Sequence, residues 1–187
     1  METVLSVFGF GLLMLIFALW RLQAGLVRAR NMTLESLSAI DVQLKKRRDL
    51  IPNMVAVVQT HMTHEKALLE TLVELRQMAA APYDGTKKHT VSAHFDAEAA
   101  LGCTIGVLMG RTESHPVLRS EETLVRLQET LEEVEGHIAA ARRWYNASVR
   151  TLKDKVEVFP GFLVAPWMGI EVLPFFDAAD NSRERSA

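Results

Sequence analysis

A single cysteine, Cys103, leaves the chain without an internal disulfide and without a multi-cysteine metal cluster. Within AALGCTIGVLMG it reads as a small, buried apolar residue. An excess of either charge is also missing. The 21 basic and 23 acidic residues give a formal net charge of −2, which excludes the broad cationic surface that nucleic acid requires. Motifs for nucleophilic or phosphate chemistry are lacking too: there is no GxSxG, no phosphate-binding glycine loop and no Cys/His pair at a known spacing. Carboxylates such as Glu121-Glu122 and Glu132-Glu133 stand next to each other in sequence instead of converging from separate segments, so they read as helix surface. What the 187 residues do contain is hydrophobic residues, 49% of the composition, enough for one membrane-anchored domain of ordinary size.

The amino-terminal segment Val4 to Trp20 has no charged residue, and eleven of its seventeen positions are Leu, Ile, Val or Phe. At roughly 0.3–0.6 kcal/mol each, those residues favour bilayer insertion by about 3–7 kcal/mol. Trp20 and Arg21 suit the interface, and Leu22, Ala24, Gly25, Leu26 and Val27 extend the apolar character. The sequence therefore predicts a spanning helix in contact with the lipid bilayer over residues 4–27. A cleaved signal peptide is the competing reading, but Met1-Glu2-Thr3 is not a basic region, only Leu22-Gln23-Ala24 resembles a cleavage site, and no lipobox cysteine is present. Arg21, Arg28, Arg30 and then Lys45 to Arg48 all follow the apolar segment. By the positive-inside rule they predict a single-pass protein of the cell (inner) membrane with a cytoplasmic body.

Beyond the anchor and juxtamembrane segment, residues 1–30, the spacing predicts a helical body over 31–177 and a flexible, solvated tail over 178–187. From Thr33 to about Ala80 apolar residues recur at steps of three and four, through Leu37, Ile40, Leu44, Ile51, Val55 and Val58 to Leu72 and Leu75, with gaps at 47/48 and 65. That pattern describes one long helix with a narrow seam, either capped near Thr33 and Ser36 or continuous with the membrane span. Pro52 is expected to kink it near Asp49, and AAAPYDGTKK ends it. A shorter helix spans about Val91 to Arg111, with Gly102, Gly106 and Gly110 close to one face, where they permit close helix approach. The third, about Ser120 to Val158, carries one stripe from Leu124 through Leu131, Val134, Ile138 and Tyr145 to Val156. FPGFLVAPWMGIEVLPFF then interrupts the periodicity with Pro160, Pro166 and Pro174 while staying apolar. It is expected to pack over the end of the bundle, with lipid or another subunit as the other candidates for its cover.

Five consecutive charges, Lys45 to Asp49, sit inside the first seam. Advancing about 100° per residue, they wrap the whole helix, and the repeat calls for an apolar residue at 47 or 48. One arginine is therefore expected inside the bundle, paired with a carboxylate; Glu129, Glu132, Glu133 and Glu135 on the third helix are the candidates. An anion or lipid-headgroup site and a merely solvated charge run are the other readings. His61, His64 and Glu65 share one helix side and could hold a metal, but HxxHE is neither HExxH nor its inverse, so a polar layer is favoured, with Glu65 on the seam. Tyr145 belongs to the third seam and Asn146 is expected to make a polar contact there. No cofactor and no catalytic residue is predicted.

IDVQLKKRRDLIPNMV, the HEK of His64 to Lys66, LQETLEEVEGHIAAARRWYNASV and the following Phe159-Pro160 resemble the LemA family in order and spacing, over about Asn31 to Phe176. The resemblance implies an all-α protein: an amino-terminal transmembrane helix followed by an elongated up-and-down bundle, here three long helices and a short carboxyl-terminal apolar segment. One branch of that family takes part in magnetosome formation, which implies work on membrane organisation. This chain departs from the family pattern in having Arg30-Asn31 for Tyr-Asn, His115-Pro116 for Tyr-Pro, Gly136 for an asparagine, and no second Tyr-Asn near Leu152-Lys153. The expected function is a non-catalytic, membrane-anchored scaffold that forms a homo-oligomer or binds a protein partner. Its structural or interaction candidates are Arg47, Arg48, Asp49, Pro52, Asn53, His64, Glu65, Glu132, Glu135, Tyr145, Asn146, Phe159 and Pro160. An anion-sensing bundle is the alternative, and a metal enzyme on His61, His64 and Glu65 a more distant one.

Overall fold

The structure is a computed structural model that describes residues 2–62, 65–115, 118 and 121–176, without the side chains of 2–8, 15, 18 and 19. His64 and the tail read over 178–187 lie outside the described residues. All regular elements among the described residues are helical: α1 (Glu2–His61), α2 (Lys66–Ala79), α3 (Lys88–Glu113), α4 (Glu122–Glu157) and the single turn α5 (Gly161–Val164). Contacts along α1 set their directions. Arg76 on α2 reaches Arg48, Tyr83 after α2 reaches Asp41, His94 and Glu98 on α3 meet Asp41 and Arg47, and Lys155 on α4 reaches Gly25. The order is up, down, up, down, with α1 packed most extensively on α4 and α2 on α3.

The helix expected over 33–80 is thus two helices, so the bundle has four long members instead of three. α1 begins at Glu2, runs unbroken through residues 20–33, and stops at His61. Nothing in Thr60–Lys66 is a glycine or proline, so the sequence carries no break signal there. The break is decided by burial. A continuous helix rises about 1.5 Å per residue, which would carry Leu69, Leu72 and Ala79 past the end of the bundle; turned back, they join Ile51, Met54, Val58 and Met62 in one core. Two further core layers lie below, one around Leu37, Ile40, Leu44, Phe95, Tyr145 and Phe176, and a basal one of Leu26, Ala29, Leu152, Ala165 and Ile170. The bundle core therefore reaches amino-terminal of residue 31. Among the described residues no helix is long and apolar enough to cross a membrane; the span expected over residues 4–27 lies partly outside the residues whose side chains are described.

The carboxyl-terminal apolar segment packs over the end of the bundle, as expected, only around Ala165 and Ile170; its last part instead runs back up into the middle layer. Asn146 Nδ2 donates to the Phe176 carbonyl (3.1 Å) while its Oδ1 accepts the Phe176 N–H (2.9 Å), and the Tyr145 hydroxyl donates to the Pro174 carbonyl (2.7 Å). These contacts secure the segment through its backbone, and Leu173 and Phe176 bury beside Phe95. Cys103 corrects the sequence expectation. The buried stripe of α3 is Val91, His94, Phe95, Glu98, Leu101, Ile105, Leu108 and Thr112, and position 103, two residues from both 101 and 105, turns to the opposite, exposed face.

Pro52 sits inside α1 on its exposed side, and the helix continues through it. A proline at 52 withholds the N–H that would bond the carbonyl of residue 48. Arg76 supplies the replacement: its Nε donates to the Arg48 carbonyl at 2.9 Å. The coupling can be measured in a double-mutant cycle. Arg76→Ala is expected to cost about 1–2 kcal/mol in the natural background, as for a hydrogen bond with a charged donor at a half-buried site. With Pro52→Ala the cost should nearly vanish in urea unfolding, because the backbone N–H restored at position 52 then bonds that carbonyl itself; equal costs in both backgrounds would refute this account.

Candidate functional site

The repeat of α1 demands a buried residue at 47, and the structure buries Arg47 there, 6% exposed. Its main partner is Glu98 of α3, whose side chain is fully buried. Arg47 Nη2 donates to Glu98 Oε2 at 2.7 Å and to the Glu98 carbonyl at 2.8 Å, and Nη1 donates to Glu135 Oε1 on α4 at 3.0 Å. Arg48 donates to the other Glu98 oxygen. Two arginines and two glutamates sum to zero, so the layer is electrically closed, although the Arg47 Nε is buried without a hydrogen-bond partner. Gly102 leaves the room for it: a Cβ there would lie 3.0 Å from Arg47 Nη1. Sliding one helix by a turn, about 5.4 Å, would part these charges in a dry core, so the layer fixes how α1, α3 and α4 sit against one another.

Sequence reasoning named Glu135 correctly among four candidates but missed Glu98, the stronger partner. A signal for Glu98 existed: it falls three residues after Phe95 and three before Leu101, on the apolar stripe of its helix. The remaining candidates separate. Asp49 is exposed and paired with Lys45 at 2.7 Å, and Pro52, Asn53 and Glu132 are also exposed. Glu65 pairs with Arg111, which holds that guanidinium even more firmly protonated than usual through the hydrogen bond and charge of Glu65. Phe159 is exposed and Pro160 half-buried, joined by a cis peptide bond. Among the described residues no group of three or more His, Cys, Asp or Glu could hold a metal ion.

A second polar group one turn below had no counterpart in the sequence reading. The Tyr83 hydroxyl donates to Asp41 Oδ2 at 2.7 Å, the Tyr83 ring stacks on His94 at 4.1 Å, and His94 Nε2 faces Asp41 Oδ1 at 3.2 Å, off the line of a hydrogen bond. Burial pushes the Tyr83 hydroxyl well above its usual pKa, and the Asp41 hydrogen bond and charge push it further. Tyr145 is raised in the same direction by burial and then by Asp41.

The fold and the site define a class, an all-α up-and-down bundle with a neutral arginine–glutamate layer buried between its helices. The chain belongs to the LemA family, whose model matches residues 36–187. Comparison with curated proteins returned no match.

Two outcomes test this site. Glu98→Ala removes the carboxylate of Arg48 and leaves buried Arg47 with Glu135 alone, and should cost roughly 3–5 kcal/mol, whereas the triple change Arg47→Met, Arg48→Met, Glu98→Leu should recover most of that loss in denaturant unfolding. An equally unstable triple variant would mean that the layer contributes more than charge closure. The chain's only tyrosines are Tyr83 and Tyr145, so their ionisation can be read without interference. Their folded pKa values lie above the unfolded value of about 10, so the stability they contribute is complete below that pH and is lost as pH rises past it. Tyrosinate absorbance should appear only together with loss of helical circular dichroism; ionisation of either residue near pH 10 in the folded protein would contradict the geometry.

Proposed function

We propose that this LemA-family chain is a membrane-anchored, non-catalytic helical scaffold that associates with itself or with a protein partner through its bundle surface. The observation that supports it most is the continuity of α1, which leads from an uncovered apolar stretch directly into the buried layers of the bundle. Phe10, Leu13, Met14, Ile16, Phe17 and Trp20 are each more than half exposed, and a row of such side chains is what bilayer hydrocarbon would remove from water. From Leu22 onward α1 packs on the base of the bundle, so the lipid-facing part ends near Arg21. Residues 2–21 measure about 30 Å as a helix, close to the roughly 30 Å of a hydrocarbon core.

Because the anchor and the central bundle helix are one element, membrane position is transmitted to the bundle without a hinge. The basic residues that follow the apolar stretch orient the body toward the cytoplasm, in a single pass of the cell membrane. Acting by position agrees with the state of the charged layer: both guanidinium groups already engage Glu98, so neither is offered to an anion. An apolar groove of about 640 Å³ between α1 and α2, lined by Val55, Met62, Leu69 and Val73 among others, offers a partner uncovered surface.

The full chain should stay with membranes through alkaline carbonate extraction, and Leu13→Arg with Phe17→Arg should release it to the soluble fraction. In mild detergent the intact protein should run as an assembly. A strictly monomeric particle that recovers no partner on crosslinking would overturn the scaffold reading.

A further inference from the structure

Ten consecutive residues, Val158 to Trp167, carry no charge, and the Trp167 indole N–H is their one polar side-chain group. Such a run would ordinarily be folded inward. Here most of it faces out: Trp167 is 92% exposed, Phe159 73%, and Val158, Phe162 and Leu163 are each more than half exposed. The inward side of the elbow is already filled. Ala165 packs with Leu26, Ala29 and Leu152 in the basal core, and Gly161 lies so close to the end of α4 that a Cβ would overlap the Lys155 carbonyl oxygen. The outward residues therefore have no interior position to retreat to. Phe159 and Phe162 sit side by side on the outer face, ring centres 6.3 Å apart.

The elbow's place along α1 says what covers it. Val158 and Phe159 form one wall of a recess of about 410 Å³ whose other wall is Arg21, Leu22, Gly25 and Leu26, and Lys155 Nζ donates to the Gly25 carbonyl at 3.2 Å. The elbow thus stands beside the first turn of α1 after Trp20, at the level where the uncovered apolar stretch ends. We propose that the Val158–Trp167 elbow is a second membrane contact, seated in the headgroup–acyl boundary next to the point where α1 leaves the bilayer. This rests on the anchor reading above. A bilayer that takes up residues 2–21 meets the elbow at its own interface without any rearrangement of the bundle. The chemistry fits that depth: Trp at the boundary, Phe and Leu directed into the acyl region, and exposed Arg21 and Lys155 at headgroup level, with Asp154 also at the recess. A single helix leaves rotation about its own axis free. A second contact beside it fixes the tilt and rotation of the bundle, and so decides which face the scaffold presents along the membrane.

The test uses the full chain in phosphatidylcholine–phosphatidylglycerol vesicles, with tryptophan quenching by brominated lipid and by aqueous iodide. One variant keeps only Trp167 (Trp20→Phe, Trp144→Phe), and its companion keeps only Trp20 (Trp144→Phe, Trp167→Phe). Both are expected to be quenched by brominated lipid, Trp167 most strongly by lipid brominated near the headgroup, and Trp167 to be protected from iodide. Adding Phe162→Glu and Leu163→Glu to the Trp167 variant removes two side chains whose burial is each worth about tenfold or more in an equilibrium, and should return Trp167 to iodide. Quenching of Trp20 without Trp167 overturns the elbow contact and leaves the anchor standing. Quenching of neither overturns the anchor, and the elbow with it. Trp167 shielded from iodide yet untouched by brominated lipid, with shielding that grows with protein density, assigns the patch to a second copy and overturns the lipid contact.

Discussion

The sharing of one fully buried carboxylate between two adjacent arginines is the constraint on which this bundle depends. Apolar seams hold helices together but discriminate weakly between registers, since leucines one turn apart bury nearly the same area. A charge in a dry core allows no such latitude, because an unpaired guanidinium there costs several times what a shifted leucine does. Glu98 therefore sets the height of α3 on α1, and Glu135, half in solvent, adds a weaker tie to α4. Gly102 leaves the room that Arg47 needs at that level, and the stacked Tyr83–His94 pair one turn below and the bond of Arg76 to the Arg48 carbonyl pack around it.

That pairing of charges also explains how the densest cluster of charge in the chain is accommodated inside a helical bundle. Lys45 to Asp49 stands out in sequence because five charges interrupt an apolar repeat. In three dimensions they divide into an exposed ion pair, Lys45 with Asp49, and an internal pair of arginines neutralised by glutamates from other helices. The helical class, the seams and the inward arginine were legible because each leaves a periodic trace, whereas Glu135 could be named only as one of four candidate partners. Glu98 was harder to read since an acid among alanines, two residues after Asp96, resembles a surface residue until its spacing from Phe95 and Leu101 is considered. Asp41, Tyr83 and His94 come from three different segments, and no local pattern joins them.

The base of the molecule has a different logic. There the core is thin, built from Leu26, Ala29, Leu152, Ala165 and Ile170, and apolar side chains are left outside it on two neighbouring elements. The Val158–Trp167 elbow begins beside Arg21 to Leu26, where the uncovered amino-terminal stretch of α1 ends, so one surrounding medium can cover both. Were both covered by a bilayer, as proposed, the two neighbouring contacts would fix an orientation that a lone helix leaves free.

Apolar periodicity by itself determined that this protein is helical, that three stretches are amphipathic and that an arginine must be answered by a carboxylate; these are properties of residues three and four apart on one helix. Tertiary structure alone decided that the first stretch divides into α1 and α2, that Cys103 faces solvent, and that Glu98 completes the charged layer. Each of these turns on which surfaces remain to be covered once the helices meet. A helix carries its own hydrogen bonds in its sequence, but the surface that buries it belongs to another segment of the chain.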